Sequence, residues 1–132
     1  MSTSIHDFHE DPRNADIRIW VNGGLKPRAE ATVSVFDSGF VLGDGVWEGL
    51  RVMAGHPLFL DAHLDRLFEG AKAIALDIGL SRRELHEAIY ATLQANGMRD
   101  DVHIRLMVTR GVKRTPYQDP RACIGQATVV II

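Results

Sequence analysis

Residues 61–97 carry two successive helical repeats, while the apolar residues on either side of them alternate. Leu64, Leu67, Phe68, Ala71, Ile74 and Ala75 recur at the 3.6-residue spacing of one helix face, with Asp61 as its expected cap and an end near Asp77. Ser81-Arg82-Arg83-Glu84 is a capping box that opens a second helix. Leu85, Ala88, Ile89, Thr92 and Leu93 give its buried face, and Asn96-Gly97 closes it. Ahead of this block, residues 17–22 and 25–28 read as strands around the tight turn Asn22-Gly23-Gly24. Residues 31–36 read as a third strand, and residues 46–53 and 57–60 as a hairpin about Ala54-Gly55-His56. After the block come strands over 102–110 and 127–132. Hairpins with the helices gathered into one block predict an α+β fold: a mainly antiparallel sheet with two helices packed on one face.

The expected organisation is a flexible arm over residues 1–16 and one small domain over 17–132. Apolar residues make up 45% of the 132, enough for a core without disulfide or metal staples. The net charge of −2 gives no bulk attraction to nucleic acid or to an anionic membrane. Cys123 is the only cysteine, so an internal disulfide is excluded and a reducing compartment fits. The polar first residues lack the apolar run of a signal peptide, and no run approaches the roughly 20 residues of a bilayer span. A cytoplasmic protein is expected. His6 and His9 fall short of the ligand set a zinc site needs, and no metal is expected.

Strand alternation sorts the side chains by face. Along 46–53, Val46, Glu48, Leu50 and Val52 share one side, and Trp47, Gly49, Arg51 and Met53 the other. The bare Gly49 between an aromatic and a cation is a notch suited to a planar, anionic ligand. Along 102–110, Val102, Ile104, Leu106 and Val108 form an apolar row for the helices. His103, Arg105, Met107 and Thr109 face away from it. Each strand therefore sets an Arg on a semi-polar face, either a solvated sheet surface or a pocket. Arg66, in the first helix beside its apolar stripe, is placed either to pair with Glu69 or to clamp a phosphate. The glycine-rich residues 39–45 lack the spacing and the Lys of a nucleotide-binding P-loop.

Four segments together are similar to the front domain of the class IV (fold-type IV) aminotransferases. They are FDSGFVLGDGVWEGLRV, GHPLFL, HLDRL and HIRLMVTRG. This pyridoxal 5'-phosphate-dependent family includes branched-chain and D-amino-acid aminotransferases, (R)-amine transaminases and aminodeoxychorismate lyase. The resemblance implies that Arg66 holds the cofactor phosphate and that Phe40, Leu42 and Trp47 line the pocket. It implies further that His103 and Arg105 occupy the places of a Tyr and Arg at the substrate site, with Arg51 beside the same cleft. A homodimer is implied too, with Phe40 or Leu42 acting on the partner's site.

The family's chemistry needs a Lys that bonds covalently to the cofactor and shuttles a proton. The lysines here are Lys26, Lys72 and Lys113, and none matches that position, so no catalytic residue is assigned within the chain. The chain ends inside its most apolar strand. The expectation is an N-terminal piece, inactive alone, whose lysine lies in a second domain roughly 40 to 50 residues beyond the TRG segment. The implied reaction moves an amino group between an amino acid and a 2-oxo acid, with branched-chain L-amino acids favoured by Arg105 and Gly49-Leu50-Arg51. Phe40 and Leu42, where relatives often carry Tyr, leave D-amino-acid or (R)-amine specificity open. A reading of another class is a non-catalytic binding or scaffold domain that kept the fold.

Overall fold

A computed structural model describes residues 8–132; His6 and the rest of the first seven residues lie outside them. The strands are β1 (Arg18–Val21), β2 (Gly24–Pro27), β3 (Gly45–Met53), β4 (His56–Pro57), β5 (Val102–Thr109) and β6 (Thr128–Ile131). They form one sheet in the order β2-β1-β6-β5-β3-β4, with every neighbouring pair antiparallel. Besides a one-turn helix, α1 (Ser38–Leu42), there are two long helices, α2 (Leu60–Ala73) and α3 (Arg82–Asn96), which cover one face as the pattern predicts. No helix among the described residues is long and apolar enough to cross a membrane.

Both long helices bury the stripes that their spacing dictates. Leu85, Ala88, Ile89, Thr92 and Leu93 of α3 are all buried, and the capping box between Ser81 and Glu84 is formed in both directions. Asn96, in the last turn of α3, accepts from the Arg18 backbone N–H and donates to the Arg18 carbonyl. That amide clips the helix to β1. Leu64, Leu67 and Ala71 of α2 meet the apolar row of β3 and β5. Burying apolar side chains as large as these leucines stabilises the fold by about 1.5–3 kcal/mol each.

Several expectations need correction. Residues 31–36 form no strand, because Ser34 turns the chain back on itself. Its side-chain oxygen accepts from the Phe36 N–H and its carbonyl from the Asp37 N–H, leaving Val33 and Val35 exposed. The loop that follows contains α1, capped by the Asp37 side chain and ended by Gly43 at φ 66°, a conformation that a side chain would disfavour. The second hairpin strand is only His56–Pro57. Asp61 does not cap α2; Phe59 holds the cap position in a left-handed conformation, and Asp61 sits in the first turn. The helix stops at Ala73 rather than near Asp77, and Ala75 turns at φ 51°. That turn sends Leu76 and Ile78 into the core and leaves Ile74 exposed.

The second half of the expected arm is tied down. Asp11 caps a short 3-10 turn at Pro12–Asn14, and Arg13 donates to the Asp100 and Asp101 carbonyls.

Candidate functional site

The face of the sheet opposite the helices carries the predicted site residues of β3 and β5. The register sets Trp47 opposite Met107, Gly49 opposite Arg105, and Arg51 opposite His103. Side chains on such a pair also reach diagonally. Arg105 leans over the Trp47 ring, its Cζ 4.4 Å from the centroid, in a cation–π contact. His103 leans the same way over Gly49. A Cβ on Gly49 would meet the imidazole Cε1 at 3.0 Å and Nε2 at 3.2 Å. The expected notch at Gly49 is therefore filled, and what the glycine admits is the His103 ring.

A groove of about 470 Å³ runs beside this pair, lined by Phe40, Trp47, Arg105, Met107, Thr109 and Val130 among others. Trp47 is 58% exposed and Phe40 72%, so two large aromatics stand on its wall largely uncovered. Arg51 and His103 lie on the same sheet face outside the groove lining, and Leu42 on α1 is exposed without lining it.

Arg66 is elsewhere. It does not pair with Glu69, nor does it border the groove. Its Nε donates to Glu48 Oε1 at 2.6 Å and its Nη2 to Glu48 Oε2 at 2.7 Å. Glu48 alternates with Trp47, so Arg66 belongs to the helix side of β3 while the groove lies on the other. His63 Nδ1 donates to Glu48 Oε2 at 2.6 Å. The residue Glu48 is 3% exposed, whereas the Arg66 side chain is 71% exposed. The Arg66 hydrogen bonds hold the Glu48 carboxyl below the usual glutamate range; His63 adds to this, and burial opposes it.

The two sides communicate across an edge. β4 pairs only with Val52 and Met53, so no strand among the described residues flanks residues 45–49 of β3 on that side. Close by, Arg110 of the TRG segment forms a two-pronged ion pair with Asp44 and donates to the Ile74 and Ala75 carbonyls. One guanidinium thus joins the Gly43-Asp44-Gly45 turn to the end of α2, where a cation is favoured.

The three lysines are placed apart from the groove lining. Lys26 lies on β2, at the far edge of the sheet, and Lys72 on α2 is exposed. Lys113 is 1% exposed, and its Nζ donates to the Asp119 carbonyl. Sequence reasoning does not single out Glu48 or His63 as site residues. A signal for Glu48 exists, since a carboxylate interrupts the apolar row Val46, Leu50, Val52. No group of residues suited to a metal occurs among the described residues.

The family model for amino-transferase class IV matches residues 45–130. Branched-chain-amino-acid aminotransferase-like protein 1 of Arabidopsis thaliana is 51% identical over 121 residues, 92% of this chain and 22% of that protein. The D-alanine aminotransferase of Bacillus licheniformis is 36% identical over 112 residues, 85% of this chain and 39% of that protein. Among solved structures, the branched-chain aminotransferase of the thermophilic archaeon Thermoproteus uzoniensis, crystallised with norvaline, superposes with a TM-score of 0.74 at 30% identity. That match covers 89% of this chain and 40% of the other. The chain thus spans well under half the length of these relatives. Its six-stranded sheet and paired helices are the small domain of fold type IV, and the chain belongs to the class IV aminotransferases.

Proposed function

We propose that the complete protein is a pyridoxal 5'-phosphate-dependent aminotransferase that moves an amino group between a branched-chain L-amino acid and a 2-oxo acid. The observation that carries the reading is the pairing of Arg105 with Trp47 on the open sheet face, beside Arg51 and His103. A guanidinium held on an aromatic wall is a fixed cation for a substrate carboxylate.

The residues present fit part of the cofactor. Among the described residues, both Nη1 N–H groups of Arg66 and one on Nη2 have no partner, which suits a phosphate. Arg66 and Trp47 lie on either side of the open edge of β3, which supports a phosphate held at Arg66 and a substrate end facing Trp47. No lysine of the chain suits the covalent position: Lys113 is buried and bonded, and Lys26 and Lys72 line no part of the groove. In this reading a lysine outside these 132 residues supplies it, and this piece alone is inactive. Pyridoxal phosphate, when bound, supplies the electron sink for the substrate α-carbon. The chain's own part is to hold the phosphate through Arg66 and the substrate carboxylate through Arg105, with Arg51 as a further cation beside the same cleft. Phe40 and Trp47 wall the groove, His103 stands beside it on the same sheet face, and Leu42 on α1 is left exposed for the complete site.

The exposed aromatics on this face fit a homodimer in which Phe40 or Leu42 reaches the partner's site, in a cytoplasmic protein. The test uses the complete protein with a panel of amino donors against 2-oxoglutarate and pyruvate. L-leucine, L-isoleucine and L-valine should exceed D-alanine and (R)-amines by about tenfold or more in kcat/KM, about 1.4 kcal/mol. Preference for D-alanine would move the assignment to the D-amino-acid branch. No transfer from any donor would identify a non-catalytic domain.

A further inference from the structure

The network around Glu48 has a chemical logic that goes beyond the cation at its surface. A carboxylate on the core side of β3, nearly without solvent, accepts from Arg66 Nε, Arg66 Nη2 and His63 Nδ1. The three donors converge on its two oxygens and leave the carboxyl group little freedom to rotate. Both donor residues come from α2, one turn apart, so a single helix face grips the strand. An otherwise exposed guanidinium on a flexible stem loses much of its binding strength to disorder. Here its inner edge is occupied and its outer edge is presented at a fixed angle.

We infer that Glu48 is a positioning residue for phosphate recognition: it holds Arg66 by its inner edge, with His63 bracing the carboxylate, so that the outer edge meets the cofactor phosphate preformed. The inference rests on the reading of Arg66 as the phosphate-holding residue and names what makes that residue effective. An arginine fork exploits this arrangement because its N–H groups lie in one plane, and a lysine in its place cannot both grip Glu48 and present a second edge. Preorganisation of this kind raises affinity without adding a contact to the ligand.

The test compares pyridoxal 5'-phosphate with pyridoxal, which differ only by the phosphate. Equilibrium dialysis of the complete protein gives the ratio of the two dissociation constants. Glu48→Gln keeps the side-chain volume and removes the charge and one acceptor; it should reduce the preference for the phosphorylated form about tenfold while leaving pyridoxal affinity unchanged. His63→Leu should reduce the preference by a smaller factor, about threefold, and His63→Asn, whose amide can donate from nearly the same place, should restore it. A purely structural role would lower both affinities together, or neither, and would not be rescued by Asn. The His63 pair decides the matter if Glu48→Gln fails to fold. Should Arg66→Ala abolish the preference while the Glu48 and His63 variants keep the parental ratio, the inference is overturned and Arg66 retains its role. Should the parent itself show no preference for the phosphate, the functional reading falls with it.

Discussion

The two faces of the β3–β5 pair are built from the same two strands in strict alternation, yet they differ in almost every physical respect. On the helix side, Leu50, Val52, Ile104, Leu106 and Val108 are buried, and the single ionised intruder, Glu48, is fully partnered. On the other side stand Trp47, Arg51, His103 and Arg105, all exposed, with Arg105 over the Trp47 ring and His103 against Gly49. The first face is where stability is made, and the second is left free to vary in chemistry. A sheet covered by helices on one side only allows this division, because substituting the open face does not disturb the packed one.

The contrast between the faces is most exposed to test at Leu106. Leu106→Ala should lose about 2–5 kcal/mol of unfolding free energy by chemical denaturation, whereas Met107→Ala, one residue along and half-buried on the open face, should lose about 1 kcal/mol or less. Similar losses at both positions would erase the distinction.

Glu48 probes it at an intermediate scale. Because the folded state depresses its pKa, chiefly through the Arg66 hydrogen bonds, its ionisation contributes stability in full above the ordinary glutamate range of the unfolded chain. That contribution disappears as pH falls through the lower, folded value. Unfolding curves for the parent and for Glu48→Gln should differ by about 1.5 kcal/mol at neutral pH and converge in acid. A constant gap down to the lowest pH at which the protein folds would show that the carboxylate charge is irrelevant. The smallest effect is expected at Gly49. Gly49→Ala pushes the His103 imidazole outward, so its ring NMR resonances should shift while stability stays within about 0.5 kcal/mol.

The packed face is largely legible in the sequence. The stripe from Leu85 to Leu93 is buried along its whole length, and the alternation of β3 and β5 sorts as expected, because burial imposes a period that the chain must carry. What escapes the pattern arises from local competition. Ser34 diverts residues 31–36 from strand pairing, and Ala75 turns the chain after α2 although the apolar spacing continues. Strand pairing and helix ends depend on such single backbone decisions, which periodicity does not record. At the site, face assignment is readable and side-chain partnership is not. Alternation places Glu48 among core residues, but nothing in its spacing announces that Arg66, eighteen positions later, reaches back for it. The Gly49 notch fails for a related reason: its occupant, His103, is diagonal across a register known only once β3 and β5 are paired.

Strand β6 lies between β1 and β5 and is the one strand hydrogen-bonded to both. During synthesis, then, the opening β1–β2 hairpin has no seat in the sheet until residues 128–131 have emerged. Until then β1 and β5 have no strand between them to join them in one sheet. Such long-separated pairings slow folding relative to a helical bundle of the same size. During that wait, the unsatisfied rims of β1 and β5 are the places where a chaperone or another nascent chain would first take hold.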